Sequence, residues 1–306
     1  MSPTAVTVVG SVNVDYSMRV PTLPQHGQTL AGNDFDICLG GKGANQAVAA
    51  ARLGATTRLI ACVGDDAGGQ QALAAFADDG LDTLGVVTDV QAHTGSALIF
   101  VDDAGENCIG VSPGANAQLR PEHVEAHTAT LAEAHCLLLQ LETPAETVLR
   151  AAQLARAGGC RVILNPAPLR GPIADALLAE VDLATPNAHE AADLTGVTIR
   201  SPEDAERAAQ ALRERGPRAV VITLGAQGAL ALTEAGVEHV PAPNVAAIDT
   251  VGAGDTFNGA LAVALARGDA LSSALRFAVA AASLSTLKRG AQPSIPRLDA
   301  VEAALG

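Results

Sequence analysis

Positive charge is scarce in this sequence. Its 306 residues include 19 lysines and arginines against 33 aspartates and glutamates, which gives a formal net charge of −14 at pH 7. This balance argues against nucleic acid or an anionic membrane surface as a general partner, because both attract basic proteins. Only two of the basic residues are lysines, Lys42 and Lys288. Since Lys42 lies in a glycine-rich segment, it is a candidate ligand-binding cation.

Paired cysteines and long apolar runs are also missing. The five cysteines lie far apart and no Cys-x-x-Cys occurs, which argues against a zinc site or a disulfide framework. Cys62, Cys136 and Cys160 fall in or beside apolar, strand-like runs and are expected to be buried thiols. The sequence contains no uncharged apolar run of about 18 residues, the length needed to span a membrane. Its N-terminus lacks the pattern of a secretory signal. We therefore expect a cytoplasmic protein.

The apolar residues, 48% of the sequence, are enough for a large core, and their spacing predicts alternating strands and helices. This alternation predicts an α/β fold in which a mainly parallel sheet carries helices on both faces. Two additional strand regions, near residues 12–38 and 93–111, interrupt the alternation. They are expected to form a small sheet that covers the main body as a lid. We expect a single α/β domain over residues 1–306.

Polar residues follow several predicted strands at their carboxyl ends. Ligands of open α/β sheets bind beyond that edge, so function is expected there. Asn13 and Asp15 alternate with valines, which places both on one face of a strand. An amide and a carboxylate on one face suit the hydroxyl groups of a polyol, although a solvated strand face would show the same pattern. The other residues at predicted strand ends are Glu142, Asn165, Asn187, Thr223 and Asp249.

One stretch combines two glycines, an acid and a helix. Residues 249–260 read Asp-Thr-Val-Gly-Ala-Gly-Asp-Thr-Phe-Asn-Gly-Ala, and apolar residues recur at helical spacing through its second half. The pattern predicts a glycine turn at Gly252 and Gly254 that opens a buried helix, with Asp255 in its first turn. Because free N–H groups at a helix start attract anions, a phosphoryl group would bind there beside Asp255 as a base. An aspartate at this position can also be purely structural.

A second glycine-rich segment, residues 40–45, precedes another predicted helix. The spacing of a P-loop fails on both sides of Lys42, and no Gly-x-Gly-x-x-Gly follows the first strand. The second absence argues against a dinucleotide-binding dehydrogenase. Asn187, with Glu190 three residues later, predicts a helix N-cap with a capping box. These two residues could therefore have a structural role alone.

Taken together, the motifs resemble those of the PfkB family of sugar kinases, in its ribokinase-like branch, over nearly the whole chain. The segments that carry the resemblance are residues 13–15, 40–45, 142, 165–168, 187–190, 223–228, 249–260 and 290–294. The resemblance implies a three-layer α/β/α fold with a small β-sheet lid, which forms a homodimer interface in relatives. It also implies transfer of the γ-phosphoryl group of ATP to the primary 5-hydroxyl of a neutral sugar, D-ribose.

The resemblance further implies roles for individual residues. Asp255 would be the general base, and the backbone N–H groups of Gly252, Ala253 and Gly254 would bind the charge of the transferring group. The positions that match the sugar-binding residues of the family are Asn13, Asp15, Gly41, Lys42, Gly43, Asn45, Glu142 and Asp255 itself. The positions that match its nucleotide side are Asn187, Thr223, Gly225, Gly228, Gly254 and Val279.

Two metal ions are implied as well. Glu190 matches the acid that helps to bind Mg²⁺, through water. The positions that match a monovalent-cation site, which favours K⁺, are Asp249, Val251 through its carbonyl, Ser285, Lys288, Gly290 and Ser294. A cation there would add positive potential beside the anion-binding turn. Val279 departs from the family pattern, since relatives commonly carry a polar residue near the adenine at this position.

Other substrates and one other protein class stay open. Between residues 11 and 45 only Arg19 and Lys42 are basic, so a neutral sugar fits better than a sugar phosphate. Aromatic walls for a nucleoside are scarce, with one tyrosine and five phenylalanines, although Tyr16 and Phe100 are available. The sequence does not distinguish ribose from 2-deoxyribose. A non-catalytic sugar-binding regulator with the same fold is the alternative class, and the intact Asp255 argues against it.

Overall fold

The computed structural model describes residues 4–306. Residues 1–3, which are part of the N-terminus that lacks a secretory-signal pattern, lie outside the described residues. The strands are β1 (Ala5–Val9), β2 (Asn13–Arg19), β3 (Asn33–Gly40), β4 (Thr56–Gly64), β5 (Asp82–Asp89), β6 (Gly95–Val101), β7 (Asn107–Ser112), β8 (Cys136–Leu139), β9 (Arg161–Leu164), β10 (Leu183–Ala184), β11 (Ala219–Thr223), β12 (Ala229–Thr233) and β13 (Gly236–Val240). The helices are α1 (Lys42–Arg52), α2 (Ala67–Asp78), α3 (Pro121–Glu125), α4 (Thr128–Glu133), α5 (Ala145–Ala157), α6 (Asp175–Leu178), α7 (Ala188–Thr195), α8 (Pro202–Arg213), α9 (Ala253–Ala266), α10 (Leu271–Ser285), α11 (Ala291–Ser294) and α12 (Leu298–Leu305).

Nine strands form a large sheet in the order β13-β12-β11-β10-β9-β8-β1-β4-β5. Neighbours from β11 to β5 pair in parallel, and only β12 and β13 are antiparallel additions at one edge. The other four strands form a separate sheet in the order β3-β2-β6-β7. The predicted fold class, a mainly parallel α/β sheet with a smaller second sheet, is confirmed.

Helices cover both faces of the large sheet, and the alternation of side chains along β1 shows why. Val6 and Val8 pack into one apolar cluster with α1, α9 and α10. Val9 packs into the other cluster, which contains side chains of α5 and α8. Successive side chains of a strand point to opposite faces, so both faces of this central strand require a cover of helices.

Helix α1 begins at Lys42, four residues earlier than the sequence predicted. The glycine at position 41 has a φ of 86°, which favours glycine, and it ends the preceding strand. Gly43 lies inside the first turn of the helix. A glycine is required there, because a Cβ would overlap the backbone of residues 10 and 11. The glycines of residues 40–45 therefore serve close packing of α1 on β1 as well as a turn.

Other elements also differ from the sequence-based prediction. The patterns did not reveal β5, α8 or the β12–β13 hairpin. The pattern of residues 29–39 predicts a strand, which begins only at Asn33, as β3. Asp249 does not follow a strand end, since it lies in the segment between β13 and α9. Strand β5 is only half-buried and lies at the sheet edge, which weakens its apolar signal.

Two expectations from composition can be compared with the structure. Cys62, Cys136 and Cys160 are buried free thiols, as predicted. No helix within residues 4–306 has the length and apolar character needed to cross a membrane.

Candidate active site

A cavity of about 230 Å³ opens at the carboxyl edge of the large sheet. It lies where the ends of β9, β10 and β11 meet the N-terminal turns of α1, α7 and α9. This edge is where the sequence placed the functional residues, and it is the expected ligand position of an α/β sheet. The residues that line the cavity are Lys42, Asn165, Ala167, Thr185, Asn187, Glu190, Thr223, Thr250, Gly252, Gly254, Asp255 and Asn258.

A larger cavity, of about 460 Å³, lies away from these residues and is lined in part by Leu169, Asp193 and Arg215. The guanidinium of Arg215 donates hydrogen bonds to Asp175 and to the carbonyl of Ile173, so its donors are already engaged. We therefore assign the chemistry to the smaller cavity, where several polar groups converge.

Asp255 lies in the first turn of α9 and is only 6% exposed. Its Oδ2 accepts a hydrogen bond from Asn45 Nδ2 at 2.9 Å, and its Oδ1 accepts one from Gln46 Nε2 at 3.1 Å. Burial raises the pKa of Asp255, while the Lys42 ammonium and these two donors oppose the rise. The result is a buried carboxylate that is held by neutral donors and faces a cation, which suits a general base.

The predicted glycine turn before Asp255 is left-handed at its first glycine, and its second glycine, Gly254, already lies inside α9. Gly252 caps α9 with φ 77° and ψ 0°. The N–H of Ala253 donates to the Thr250 carbonyl at 3.2 Å. Among residues 4–306 no backbone acceptor is found for the N–H groups of Gly252 and Gly254. These two free donors at a helix start form an anion-binding position.

Residues at the start of the small sheet are fixed by long-range hydrogen bonds. Asn116 Nδ2 donates to Asn13 Oδ1 at 2.8 Å, and its Oδ1 accepts from the N–H of Val12 at 2.8 Å. Glu142 Oε2 accepts a hydrogen bond from the N–H of Lys42 at 2.9 Å and a short one from the Ser11 hydroxyl. These bonds hold β2, the first turn of α1 and the segment after β8 against one another.

Among the buried oxygen atoms that have no hydrogen-bond partner within residues 4–306 are Asp15 Oδ1 and Asn45 Oδ1, and both side chains act on Asp255. Leaving a buried acceptor unpaired costs roughly 1–3 kcal/mol, so such atoms indicate a place for a ligand that donates hydrogen bonds. Gly40 leaves room for this arrangement, because a Cβ there would overlap the Asp15 carboxylate. A polyhydroxylated molecule would satisfy both acceptors.

Burial raises the pKa of Asp15 from 3.8 to about 6, and the carboxylates of Glu142 and Asp255 add to the rise. The folded protein thus disfavours the charged form, so stability is lost as pH rises from about 4 to about 6. We expect Asp15→Asn to melt at a higher temperature than the wild type at pH 7, with a smaller difference at pH 4.5. Thermal melts of the ligand-free protein measure this. Equal differences at both pH values would contradict the expectation.

Lys42 lies near three acids, of which Asp255 and Glu190 line the cavity with it. Burial acts to lower the pKa of its ammonium, but Asp255, Glu142 and Glu190 outweigh burial, and the pKa lies above its usual value. Lys42 is therefore charged at neutral pH and is the cation that lines this cavity. It offsets the negative charge that would otherwise repel a phosphate.

The opposite side of the cavity is formed by α7 and the end of β11. The predicted capping box is present: Glu190 N–H donates to Asn187 Oδ1 at 2.8 Å, and Asn187 N–H donates to Glu190 Oε2 at 2.9 Å. Residues Asn187 and Thr223 form a β-bridge, and the loop that follows turns at Gly225 and Gly228 with φ values of 58° and 91°. Burial raises the pKa of Glu190 against the attraction of Lys42.

Val279 lies apart from this cavity lining. Its side chain is 5% exposed and belongs to the apolar cluster of α9 and α10. The family resemblance implies that this residue belongs to the nucleotide side of the site.

The residues grouped as a monovalent-cation site are joined through Asp249. Its Oδ1 accepts from the N–H of Val251 at 3.0 Å, and its Oδ2 accepts from the N–H of Gly290 at 2.8 Å. The hydroxyls of Ser285 and Ser294 donate to helix carbonyls, which leaves their lone pairs free to accept. Within residues 4–306 no group of three or more histidine, cysteine, aspartate or glutamate side chains could hold a metal. Lys288, a cation, could contribute only its carbonyl.

Sequence reasoning missed a set of buried amides and hydroxyls around the cavity. Gln46, Gln140 and Asn116 are each at most 2% exposed. Their partners lie 94 to 209 residues away in the sequence, and the shortest separation is that between Gln46 and Gln140, which pair with each other. The available signal was a glutamine directly before the small, apolar run of residues 47–51 in α1.

A comparison with protein families matches residues 3–298 to the family described as pfkB family carbohydrate kinase. The chain is 44% identical over 291 residues to the ribokinase of Haemophilus influenzae, with 95% of each chain covered. It is similar to the structure of Arabidopsis thaliana ribokinase complexed with ribose and ATP, with a TM-score of 0.94 and 32% identity over 100% of this chain and 99% of that one. Phosphofructokinase-2 from Escherichia coli in complex with potassium matches with a TM-score of 0.80 and 28% identity, covering 99% and 98% of the two chains.

Proposed function

The chain belongs to the pfkB family of carbohydrate kinases, and we propose that it transfers the γ-phosphoryl group of ATP to the 5-hydroxyl of D-ribose through Asp255. The enzyme is a ribokinase, as its similarity to curated ribokinases over 95% of its length supports. The observation that carries the mechanism is the position of the buried Asp255 carboxylate directly after two free N–H donors at the start of α9.

In the proposed reaction the sugar hydroxyl oxygen attacks the γ-phosphorus, the bond from that phosphorus to the β-phosphate oxygen breaks, and ADP leaves. The hydroxyl proton passes to Asp255. The N–H groups of Gly252 and Gly254 stabilise charge on the transferring group, while Ala253 supports the turn through its bond to Thr250. Positioning and electrostatics account for most of the catalysis in phosphoryl transfer.

On the sugar side, we propose that Asn13, Asp15, Asn45 and Glu142 bind the ribose hydroxyls, with Gly41 and Gly43 allowing close approach. The unpartnered oxygens of Asp15 and Asn45 support this assignment, because hydroxyl donors would satisfy them. The small sheet, which carries Asn13 and Asp15, would act as a lid over the sugar.

The nucleotide would bind on the side of Asn187, Thr223, Gly225 and Gly228, with Val279 behind this surface. Glu190 fits a magnesium site, since one of its oxygens is fixed by the capping box and the residue lines the cavity beside Lys42. Mg²⁺ typically takes one or two carboxylates together with substrate phosphates and water. When bound, the ion supplies positive charge to the phosphate oxygens of ATP.

A monovalent cation is proposed at the second site. Carbonyl and hydroxyl oxygens together with the Asp249 carboxylate make an all-oxygen donor set, which suits a hard cation. The potassium complex of Escherichia coli phosphofructokinase-2 supports this choice for a structure of the same fold. The residues that would hold the ion are Asp249, Val251, Ser285, Lys288, Gly290 and Ser294, the last five through carbonyl or hydroxyl oxygens.

We expect Asp249→Ala to abolish the stimulation of turnover by K⁺ relative to Na⁺, because the single carboxylate of the proposed site is removed. Initial rates at saturating ribose and ATP, in matched KCl and NaCl buffers, measure the ratio. Asp249→Asn keeps one acceptor for the N–H of Val251 or Gly290 and separates loss of charge from loss of the turn. An unchanged K⁺-to-Na⁺ ratio in both variants would argue against the site.

A homodimer through the small sheet is proposed from an exposed apolar surface. Ile37, Tyr16 and Leu98 are neighbours across β3, β2 and β6, and Phe35 stacks on Tyr16 with ring centroids 6.5 Å apart. Phe35, Ile37 and Leu98 are between 51% and 60% exposed. An exposed apolar patch of this kind commonly marks an interaction site.

We expect Leu98→Asp to convert the dimer to a monomer, because a charge would be buried in the interface. Sedimentation velocity of the wild type and the variant measures the change. Leu84→Asp, which alters an 89% exposed leucine on β5 of the large sheet, is the matched control and should stay dimeric. A wild type that is monomeric at micromolar concentration would refute the dimer.

The proposed activity is tested by measuring ADP release with ATP and Mg²⁺ on D-ribose, 2-deoxyribose, fructose 6-phosphate and adenosine. We expect strong turnover on ribose and weak turnover on the other three. Preferred turnover on 2-deoxyribose or adenosine would keep the mechanism and change the substrate. The absence of ADP release with all four would overturn the proposal and favour a regulator with the same fold.

A further inference from the structure

Gln46 is a fully buried amide in the middle of helix α1, and it does not line the cavity. Its Nε2 donates to Asp255 Oδ1 and to Asn165 Oδ1, each at 3.1 Å. Its Oε1 accepts a hydrogen bond from Gln140 Nε2 at 2.6 Å. Both ends of the amide are thus satisfied without solvent, which a buried amide requires to avoid a large desolvation cost. Because Gln46 does not line the cavity, it meets the carboxylate outside the space that a substrate would occupy.

The distance between Gln46 and Asp255 is set by the packing of two helices. Gly259 lies one turn after Asp255 on α9, where a Cβ would fall 2.6 Å from Ala49 Cβ and 2.8 Å from the carbonyl oxygen of Gln46. Only glycine permits α1 and α9 to approach so closely. The backbone of Gln46 is therefore held against the face of α9 that carries Asp255.

The hydrogen bonds of Gln46 continue into a ring that returns to α9. Asn165, which accepts from Gln46, donates to the Thr185 carbonyl at 3.1 Å. The Thr185 hydroxyl donates to Asn258 Oδ1, and Asn258 Nδ2 donates to the Gly254 carbonyl at 2.8 Å. The ring therefore joins the Asp255 carboxylate to the carbonyl of the neighbouring residue in the first turn of the same helix.

From this geometry we infer that Gln46 is a positioning residue for Asp255, which fixes the orientation of the carboxylate relative to the turn that binds the phosphoryl group. The inference rests on the proposed role of Asp255 as the base. Asn45 supplies the second donor, to Oδ2, but Asn45 also faces the sugar side with an unpartnered oxygen. Gln46 is the donor whose position does not depend on the substrate.

The removal of this donor has two consequences for the reaction. The carboxylate gains rotational freedom, and misplacement of a reacting group by about 1 Å costs on the order of 100-fold in rate. The charged form of Asp255 also loses a stabilising hydrogen bond, which raises its pKa. The ionisable groups that act on Asp255 are Lys42 on α1, Glu142 after β8, Asp15 on β2 and Glu190 on α7, and the substitution leaves them all in place.

The test compares Gln46→Met with the wild type. Methionine keeps the length of the side chain and removes both hydrogen-bonding functions. We expect kcat on ribose to fall roughly 10- to 100-fold, the KM values for ribose and ATP to change by less than about threefold, and the acid limb of the kcat–pH profile to move to higher pH. Gln71→Met, an exposed glutamine on α2, is the matched control and should match the wild type.

Two outcomes would contradict the role of Gln46, and two further variants complete the test. Wild-type kcat and an unmoved acid limb in Gln46→Met would overturn the inference, and so would a loss of kcat accompanied by an unmoved limb and a large rise in KM for ribose. If Gln46→Met does not fold, as judged by circular dichroism, then Gln46→Glu carries the test: it preserves shape and adds a like charge beside Asp255, so the same shift is expected. Asp255→Asn is measured in parallel, because wild-type turnover in that variant would refute the proposed base itself rather than the role of Gln46.

Discussion

Replacement of Asp255 by asparagine is expected to lower kcat for ribose phosphorylation by about 10³- to 10⁴-fold. Asparagine has the same shape and can still meet Asn45 or Gln46, but it cannot take the proton of the attacking hydroxyl. The assay is ADP release at saturating ribose and ATP, with ribose affinity measured separately by calorimetry. We expect ribose affinity to stay within about threefold of the wild type, since general acid–base catalysis acts on the transition state.

The matched control is Asp269→Asn, which changes an exposed aspartate just after α9. It should leave kcat and ribose affinity unchanged, so that a loss in Asp255→Asn reports on the site and not on the helix. Wild-type turnover in Asp255→Asn would refute the base assignment. A variant that no longer binds ribose would instead assign Asp255 to substrate binding.

The second large effect is expected for Lys42→Met, with a fall of about 10²- to 10³-fold in kcat/KM for ATP. Lys42 offsets the charges of Asp255, Glu142 and Glu190. Without its ammonium, a polyanionic phosphate would enter a cavity that carries only acids. The pKa of Asp255 would also rise, because Lys42 is the largest influence that opposes burial there. We therefore expect the acid limb of the kcat–pH profile to move to higher pH.

Steady-state rates as a function of ATP concentration and pH measure both effects of Lys42→Met. Arg207→Met removes an exposed cation on α8 and changes the net charge by the same amount, so it controls for long-range electrostatics. A loss that is equal in the two variants would attribute the effect to overall charge. A loss in Lys42→Met without any movement of the acid limb would separate phosphate binding from the influence on Asp255.

The parts of the fold that could be predicted are those in which a local pattern decides the structure. The patterns predict strands over residues 161–164 and 219–223 and a helix over residues 145–157, and β9, β11 and α5 have these bounds. Their continuous apolar runs or clear 3.6-residue period meet glycine or proline near their ends. The capping box of Asn187 and Glu190 was predicted for the same reason: its two hydrogen bonds lie within four residues. Elements with mixed burial, such as β5, carry a weaker pattern and were missed.

Much of the candidate site could be located, but its connections could not. Because ligands of α/β sheets bind beyond the carboxyl ends of the strands, the sequence predicted Glu142, Asn165, Asn187 and Thr223 at one edge. Three of these four residues line the cavity. The pairing of Gln46 with Asp255 spans 209 residues and depends on how closely α1 approaches α9. A local pattern holds no information on such a distance, since it is set by the packing of Gly259 against a helix from another part of the chain.

The burial of Asp255 also bears on how efficiently ATP is used. A carboxylate open to bulk solvent would activate water as readily as a sugar, and ATP would be hydrolysed without product. With 6% of its surface exposed and a hydrogen-bond donor on each oxygen, Asp255 is reached only through the cavity. One water molecule has only two O–H donors, too few for Asp255 and the unpartnered oxygens of Asp15 and Asn45 together, whereas ribose brings several hydroxyls to the same space. One shielded carboxylate thus favours the sugar over water as phosphoryl acceptor, which couples ATP consumption to sugar phosphate formed.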